Sequence, residues 1–184
     1  DHARELEVDA SKIAVGGASA GGNLATVVGL MAVERGGPGL VFQLLIYPVT
    51  DAALDTPSAR AVTSDDYPLT RADMEWFWGH YLRDDADRRH PYASPALAKS
   101  LAGLPPALVI TAEIDPLCDE GERYAAALER AGVAAACTRY GGVTHGFVGM
   151  EALLDKGRAA VAESAKALRS AFISSSPPTG ERAG

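Results

Sequence analysis

At 184 residues, with 47% hydrophobic and 22% charged side chains, the chain has the size and composition of one globular domain with a sizeable core. Its formal net charge of −7 excludes the basic footprint that nucleic acid or an anionic membrane surface requires. The longest apolar run, LVFQLLIYPV at 40–49, is interrupted by Gln43, ended by Pro48 and too short to span a membrane. Cys118 and Cys137 form neither a disulfide framework nor a CxxC pair, and read as free thiols of a cytoplasmic protein. The first residue is Asp1 and not methionine, so the lack of a leader says little about localisation.

In chain order, KIAVGGA (12–18) is a short apolar run with a glycine exit, read as a strand buried on both faces. From Ala20 to Arg35, Leu24, Val27, Val28 and Met31 follow helical spacing, and Gly36-Gly37 supply a stop. LVFQLLIYPV reads as a second buried strand. Residues 51–103 change character, with prolines, turn signals and one amphipathic helix over about 71–83. Its stripe of Met74, Phe77, Trp78, Tyr81 and Leu82 reads as packing, with Trp76 off the stripe. ALVITAEI (107–114) is a third strand. Asp119 and Glu122 have capping-box spacing ahead of a helix that carries Tyr124, Leu128 and Ala131 and closes at Gly132. VAAACTRY (133–140) is a fourth strand, a last helix runs from about Leu154 to Phe172, and 174–184 reads as a disordered tail. Strands alternating with helices predict an α/β fold, a mostly parallel sheet with helices on both faces.

Function in such sheets gathers at the carboxyl ends of the strands, and Ser19, Asp115 and His145 each follow a predicted strand. Gly17-Ala18-Ser19-Ala20-Gly21 matches G-x-S-x-G between a strand and a helix, where glycines permit a sharp turn that projects the serine. The Ala20 N–H then points at an oxyanion formed by attack of Ser19 on a carbonyl. The serine needs a base. Of the four histidines, only His145 lies in a small-residue loop between a strand and a helix. A carboxylate must orient that base; Asp115, just past the third strand and followed by Pro116, is best placed, with Glu113 and Asp119 as alternatives. The histidines are scattered and none has ligand spacing with the cysteines, so no metal or other cofactor is called for.

GGASAGGNLA, LLIYPVTD, the stretch from SPALAKSLAGLPP to DEGERYAAAL, and YGGVTHGFVGM together resemble the hormone-sensitive lipase family of α/β-hydrolase esterases, from about Lys12 to Phe172. The resemblance implies a triad of Ser19, Asp115 and His145, an acyl pocket lined by Leu117 and Phe147, and a cap contributed by 51–103 to a catalytic domain over 1–173. It also implies eight strands where four are counted, so that on the order of 100 residues are missing at roughly 30 per strand–helix unit. Ala18 stands where the family commonly has Asp or Thr, and the family's H-G-G-G oxyanion stretch belongs upstream of Asp1. The first strand would then be an open edge, calling for a second copy or a complementing N-terminal segment to cover it. The function implied is a serine carboxylesterase acting on small esters of short to medium acyl chains through an acyl-enzyme. A lactonase or amide hydrolase would use the same triad, and a non-catalytic binding module or a piece of a split enzyme stand as alternatives.

Overall fold

The four apolar runs form the four strands of one sheet, in a computed structural model that describes residues 2–174. They are β1 (Ile13–Ala18), β2 (Leu40–Ile46), β3 (Ala107–Ile114) and β4 (Ala135–Thr144), all parallel and in spatial order β1-β2-β3-β4. The register runs straight across the sheet, pairing Gly17 with Leu45, Leu45 with Val109 and Val109 with Cys137. The predicted α/β class is what the chain adopts.

Strand alternation divides the core between the two faces, because successive side chains point to opposite sides. Leu45 and Val109 pack on one face with Ala25 and Leu30 of helix α1 (Ala20–Glu34) and Tyr124 and Leu128 of helix α4 (Cys118–Arg130). Phe42, Leu108, Ile110 and Ala112 pack on the other with Ala160 of helix α5 (Asp155–Ser174). Between β2 and β3 lie α2 (Pro57–Ala61), α3 (Arg71–Tyr81) and two short 3-10 turns. Their apolar side chains, among them Leu54, Leu69, Met74 and Trp78, gather around Val49 and Leu117 as a third cluster.

Several local expectations are corrected. β1 is only partly buried, since it forms one edge of the sheet among the described residues and Gly16 and Ala18 are exposed. The buried stripe of α1 consists of small and polar residues together with Ala25, Val27 and Leu30, whereas Leu24 and Val28 stay about half exposed at 54% and 47%. β4 runs on to Thr144 and does not stop near 140, so the strand itself delivers the chain to His145. The capping box expected at Asp119 and Glu122 is not used: the residue before α4 is Leu117, without a side-chain cap. Asp119 accepts the Ser58 N–H at 2.8 Å, and Glu122 pairs with the Arg139 guanidinium at 2.6 Å. A real capping box closes the start of α3 instead, between Thr70 and Asp73. The glycine stops hold, with Gly36 and Gly132 in the left-handed region at φ +60° and +80°. Of the predicted tail, Ser174 is the last residue of α5, and 175–184 lie outside the described residues.

Candidate active site

The turn from β1 into α1 is built around close backbone approach. A Cβ at position 17 would lie 2.2 Å from the Gly21 carbonyl oxygen, and one at position 22 would lie 2.9 Å from Pro48. Gly21 has open space around it, so the steric demand falls on Gly17 and Gly22. Ser19 itself takes φ 56° and ψ −120°, a conformation non-glycine residues rarely hold without support. That support is backbone hydrogen bonding: the Ser19 N–H donates to Ile46 at 2.9 Å, and its carbonyl accepts from Asn23 at 3.1 Å and Val49 at 3.3 Å. Asn23, buried in α1, donates from Nδ2 to the Val49 carbonyl at 2.9 Å and the Ala93 carbonyl at 2.8 Å. Ala20 begins α1, where a backbone N–H has no intrahelical acceptor, and it borders the same cavity as Ser19.

Asp115 and His145 meet above the ends of β3 and β4. Asp115 is fully buried; its Oδ1 accepts the Leu117 N–H at 2.9 Å and its Oδ2 lies 2.7 Å from His145 Nδ1. His145 Nε2 lies 3.0 Å from Ser19 Oγ. The carboxylate can only accept, which assigns the proton to Nδ1 and leaves Nε2 to accept from the serine hydroxyl. Gly146 at φ +84° turns the chain away directly after the histidine. The Tyr47 ring packs against the imidazole at 4.5 Å between centroids. Burial first, and then the Asp115 charge, pushes the Tyr47 phenol above its ordinary value, so it stays neutral beside the histidine.

The sequence-derived candidates therefore separate cleanly. Ser19, His145 and Asp115 come together, while Glu113 accepts the Gly142 N–H at 2.6 Å and Asp119 is engaged with Ser58. Leu117 and Phe147, expected in an acyl pocket, are both fully buried elsewhere. Leu117 packs in the cluster with Met74 and Trp78, and Phe147 packs against Tyr140 and Tyr47 under the histidine loop. Beside Ser19 lies instead a cavity of about 450 Å³, lined almost wholly by apolar atoms from Leu24, Val49, Leu69 and the α3 residues Met74, Phe77, Trp78 and Tyr81. The α3 stripe is thus divided. Met74 and Trp78 are buried, but Phe77 and Tyr81 remain 51% and 58% exposed and face this cavity. Asn23 and Tyr47 were missed in the sequence; the one available signal was a polar residue inside the GGNLA run.

A parallel sheet that presents a serine on the turn after its first strand, with an aspartate and a histidine just past its third and fourth strands, defines an α/β-hydrolase architecture. The chain belongs to the alpha/beta hydrolase fold family, which it matches over residues 1–149. Its relatives fit the resemblance to hormone-sensitive-lipase-type esterases. It is 45% identical over 163 residues to the carboxylic ester hydrolase LipN of Mycobacterium tuberculosis, covering 86% of this chain and 43% of that protein. It is 40% identical over 157 residues to an ethyl acetate hydrolase of Pseudomonas putida, covering 85% and 49%. Among solved structures, the thermophilic carboxylesterase EstE1, cloned from a metagenomic library, superimposes with a TM-score of 0.90 at 42% identity, covering 94% of this chain and 59% of that one. The chain spans about half the length of the curated relatives it matches. Among the described residues no helix is long and apolar enough to cross a membrane, and no cluster of three or more His, Cys, Asp and Glu has a metal-binding arrangement.

Proposed function

We propose that the protein is a serine carboxylesterase acting on small esters of short to medium acyl chains. The observation that carries this reading is the unbroken hydrogen-bond chain from Ser19 through His145 to buried Asp115, opening onto an apolar cavity. Ser19 Oγ attacks the ester carbonyl as its proton passes to His145 Nε2. The imidazolium is oriented and stabilised by Asp115, which keeps its own charge. The Ala20 N–H, at the positive end of α1, stabilises the oxyanion. Collapse of the tetrahedral intermediate transfers the proton from His145 to the departing alcohol and leaves an acyl-Ser19. Water then enters, gives its proton to His145 and releases the acid, restoring the serine. The cycle balances without a cofactor.

The acyl chain fits the cavity between α1 and α3, where Leu24, Leu69 and Phe77 replace water around it. A second copy of the chain or a complementing N-terminal segment over the open edge of β1 belongs to the same reading. A non-catalytic binding module would have no need for a base aligned between the nucleophile and a buried acid. The deciding experiment is hydrolysis of p-nitrophenyl butyrate, together with fluorophosphonate labelling mapped by mass spectrometry. Adduct on Ser19, and loss of turnover and adduct in Ser19→Ala, are expected. Unchanged turnover in Ser19→Ala would refute the assignment.

A further inference from the structure

Glu120, in the first turn of α4, is a buried ionisable group that the mechanism above does not use. It is 3% exposed, and its Oε2 is buried without a hydrogen-bond partner. Its Oε1 accepts the Thr50 N–H at 2.6 Å and, at the longer distance of 3.4 Å, the Asp51 N–H. Fully buried Thr50 answers with its own hydroxyl, which donates to the Glu120 carbonyl at 3.2 Å. Burial dominates the environment of this carboxyl and pushes its pKa up to about 8. A buried carboxyl with one unpaired oxygen is a net cost to folding, and an apolar side chain of similar volume would hold the position at less expense of stability.

What the pair connects explains why it is there. Thr50 follows Val49, whose N–H donates to the Ser19 carbonyl and whose carbonyl accepts from Asn23. Glu120 lies in the helical turn that directly follows the turn at Asp115, where the aspartate takes the Leu117 N–H on its side chain and the Cys118 N–H on its carbonyl. One end of the pair thus lies beside the backbone that supports the nucleophile, the other beside the turn that supports the acid. His145 is held between those two ends.

We propose that the Glu120–Thr50 pair is the positioning brace of the triad, setting the spacing between the Ser19 turn and the Asp115 turn and so the alignment of His145. This rests on the catalytic reading of Ser19, His145 and Asp115 given above. Catalytic geometry is unforgiving: a displacement of about 1 Å transmitted from outside the site costs on the order of 10²-fold in rate. Glu120→Ala removes the acceptor for Thr50, whereas Glu120→Gln retains an oxygen in its place. Thr50→Val deletes the second tie while preserving side-chain shape.

The test measures three quantities on the full chain and these variants: fluorophosphonate labelling rate at Ser19, kcat and KM for p-nitrophenyl butyrate, and the low-field proton resonance of His145 Nδ1. Glu120→Ala is expected to lower kcat and the labelling rate about 10- to 100-fold with KM within about twofold, and to shift or broaden the resonance. Glu120→Gln is expected to recover most of both rates and the resonance. Should Glu120→Ala not fold, Thr50→Val carries the test, with a severalfold loss in the same direction. Variants that melt earlier but keep the rates and the resonance of the unsubstituted chain would overturn the brace. An unsubstituted chain that neither labels nor hydrolyses refutes the esterase reading itself, and the resonance then decides the brace separately.

Discussion

His145 Nδ1 lies 2.7 Å from Asp115 Oδ2, although the two residues are 30 positions apart and sit beyond the ends of neighbouring parallel strands. The pairing of Ile114 with Thr144 at the end of the β3–β4 ladder brings the two loops side by side. The aspartate is fully buried and the histidine side chain 14% exposed, so the imidazole has its acid on the protein side and its serine toward the cavity. Such a geometry leaves the acid little freedom to be replaced.

Asp115→Asn should therefore be far more damaging than its size suggests. An amide keeps the shape but presents an N–H where the carboxylate accepted one, and favours the wrong imidazole tautomer. A loss of about 10⁴-fold in kcat is expected. Glu113→Gln, which keeps an oxygen to accept the Gly142 N–H, should stay within about threefold, since the side chains bonded to His145 are Asp115 and Ser19. Equal losses at the two positions, measured by p-nitrophenyl ester turnover, would contradict the assignment of the acid.

The nucleophile turn makes a stability prediction. Gly17→Ala would drive a methyl group to 2.2 Å from the Gly21 carbonyl oxygen, and backbone cannot yield as a flexible side chain would. A destabilisation of about 3 kcal/mol or more is expected, read as a lower denaturant midpoint with Ser19 labelling lost in parallel. Gly21→Ala, inside α1, meets nothing within 4 Å and should leave stability unchanged or raise it by up to about 1 kcal/mol.

Phe77 tests the cavity. Half exposed and lining the same apolar pocket as Ser19, it contributes wall and not core. Phe77→Ala should raise KM for p-nitrophenyl butyrate about 10-fold and shift the preference toward longer acyl chains, with kcat changed less. Stability should fall only slightly, and a thermal melt run beside the acyl-length series distinguishes lost wall from lost core.

Glu120 gives the fold a pH dependence with a definite sign. Its proton is held up to about pH 8 in the folded chain, against an ordinary glutamate value of 4.5. Desolvation is the leading cause, the Thr50 and Asp51 amides oppose it, and the charges of Asp51 and Asp115 add to it. Between those two values the folded state binds the proton that the unfolded state has released. This contribution is therefore lost as pH rises through the window, and levels off above it. The melting temperature of the unsubstituted chain, measured relative to Glu120→Gln, should fall across that window. A flat difference would mean that the carboxyl is ionised throughout.

Much of this molecule is legible in the sequence, because periodicity and turn chemistry are properties of residues close together along the chain. The apolar run ALVITAEI, the glycines around Ser19 and the stop at Gly132 each act over a few residues, and each element forms where they predict it. The serine, aspartate and histidine are legible for a related reason: parallel strands place their carboxyl-end loops on one edge. Tertiary packing alone decided which long-range partner each polar group took. Asp119 turned from a local cap to Ser58 across 61 residues, and Glu120 to Thr50 across 70. It also decided that Leu117 and Phe147 close the core while Phe77 and Tyr81 line the cavity. Neighbours along the chain limit what a side chain can do; which surface it buries depends on segments that only the folded sheet brings together.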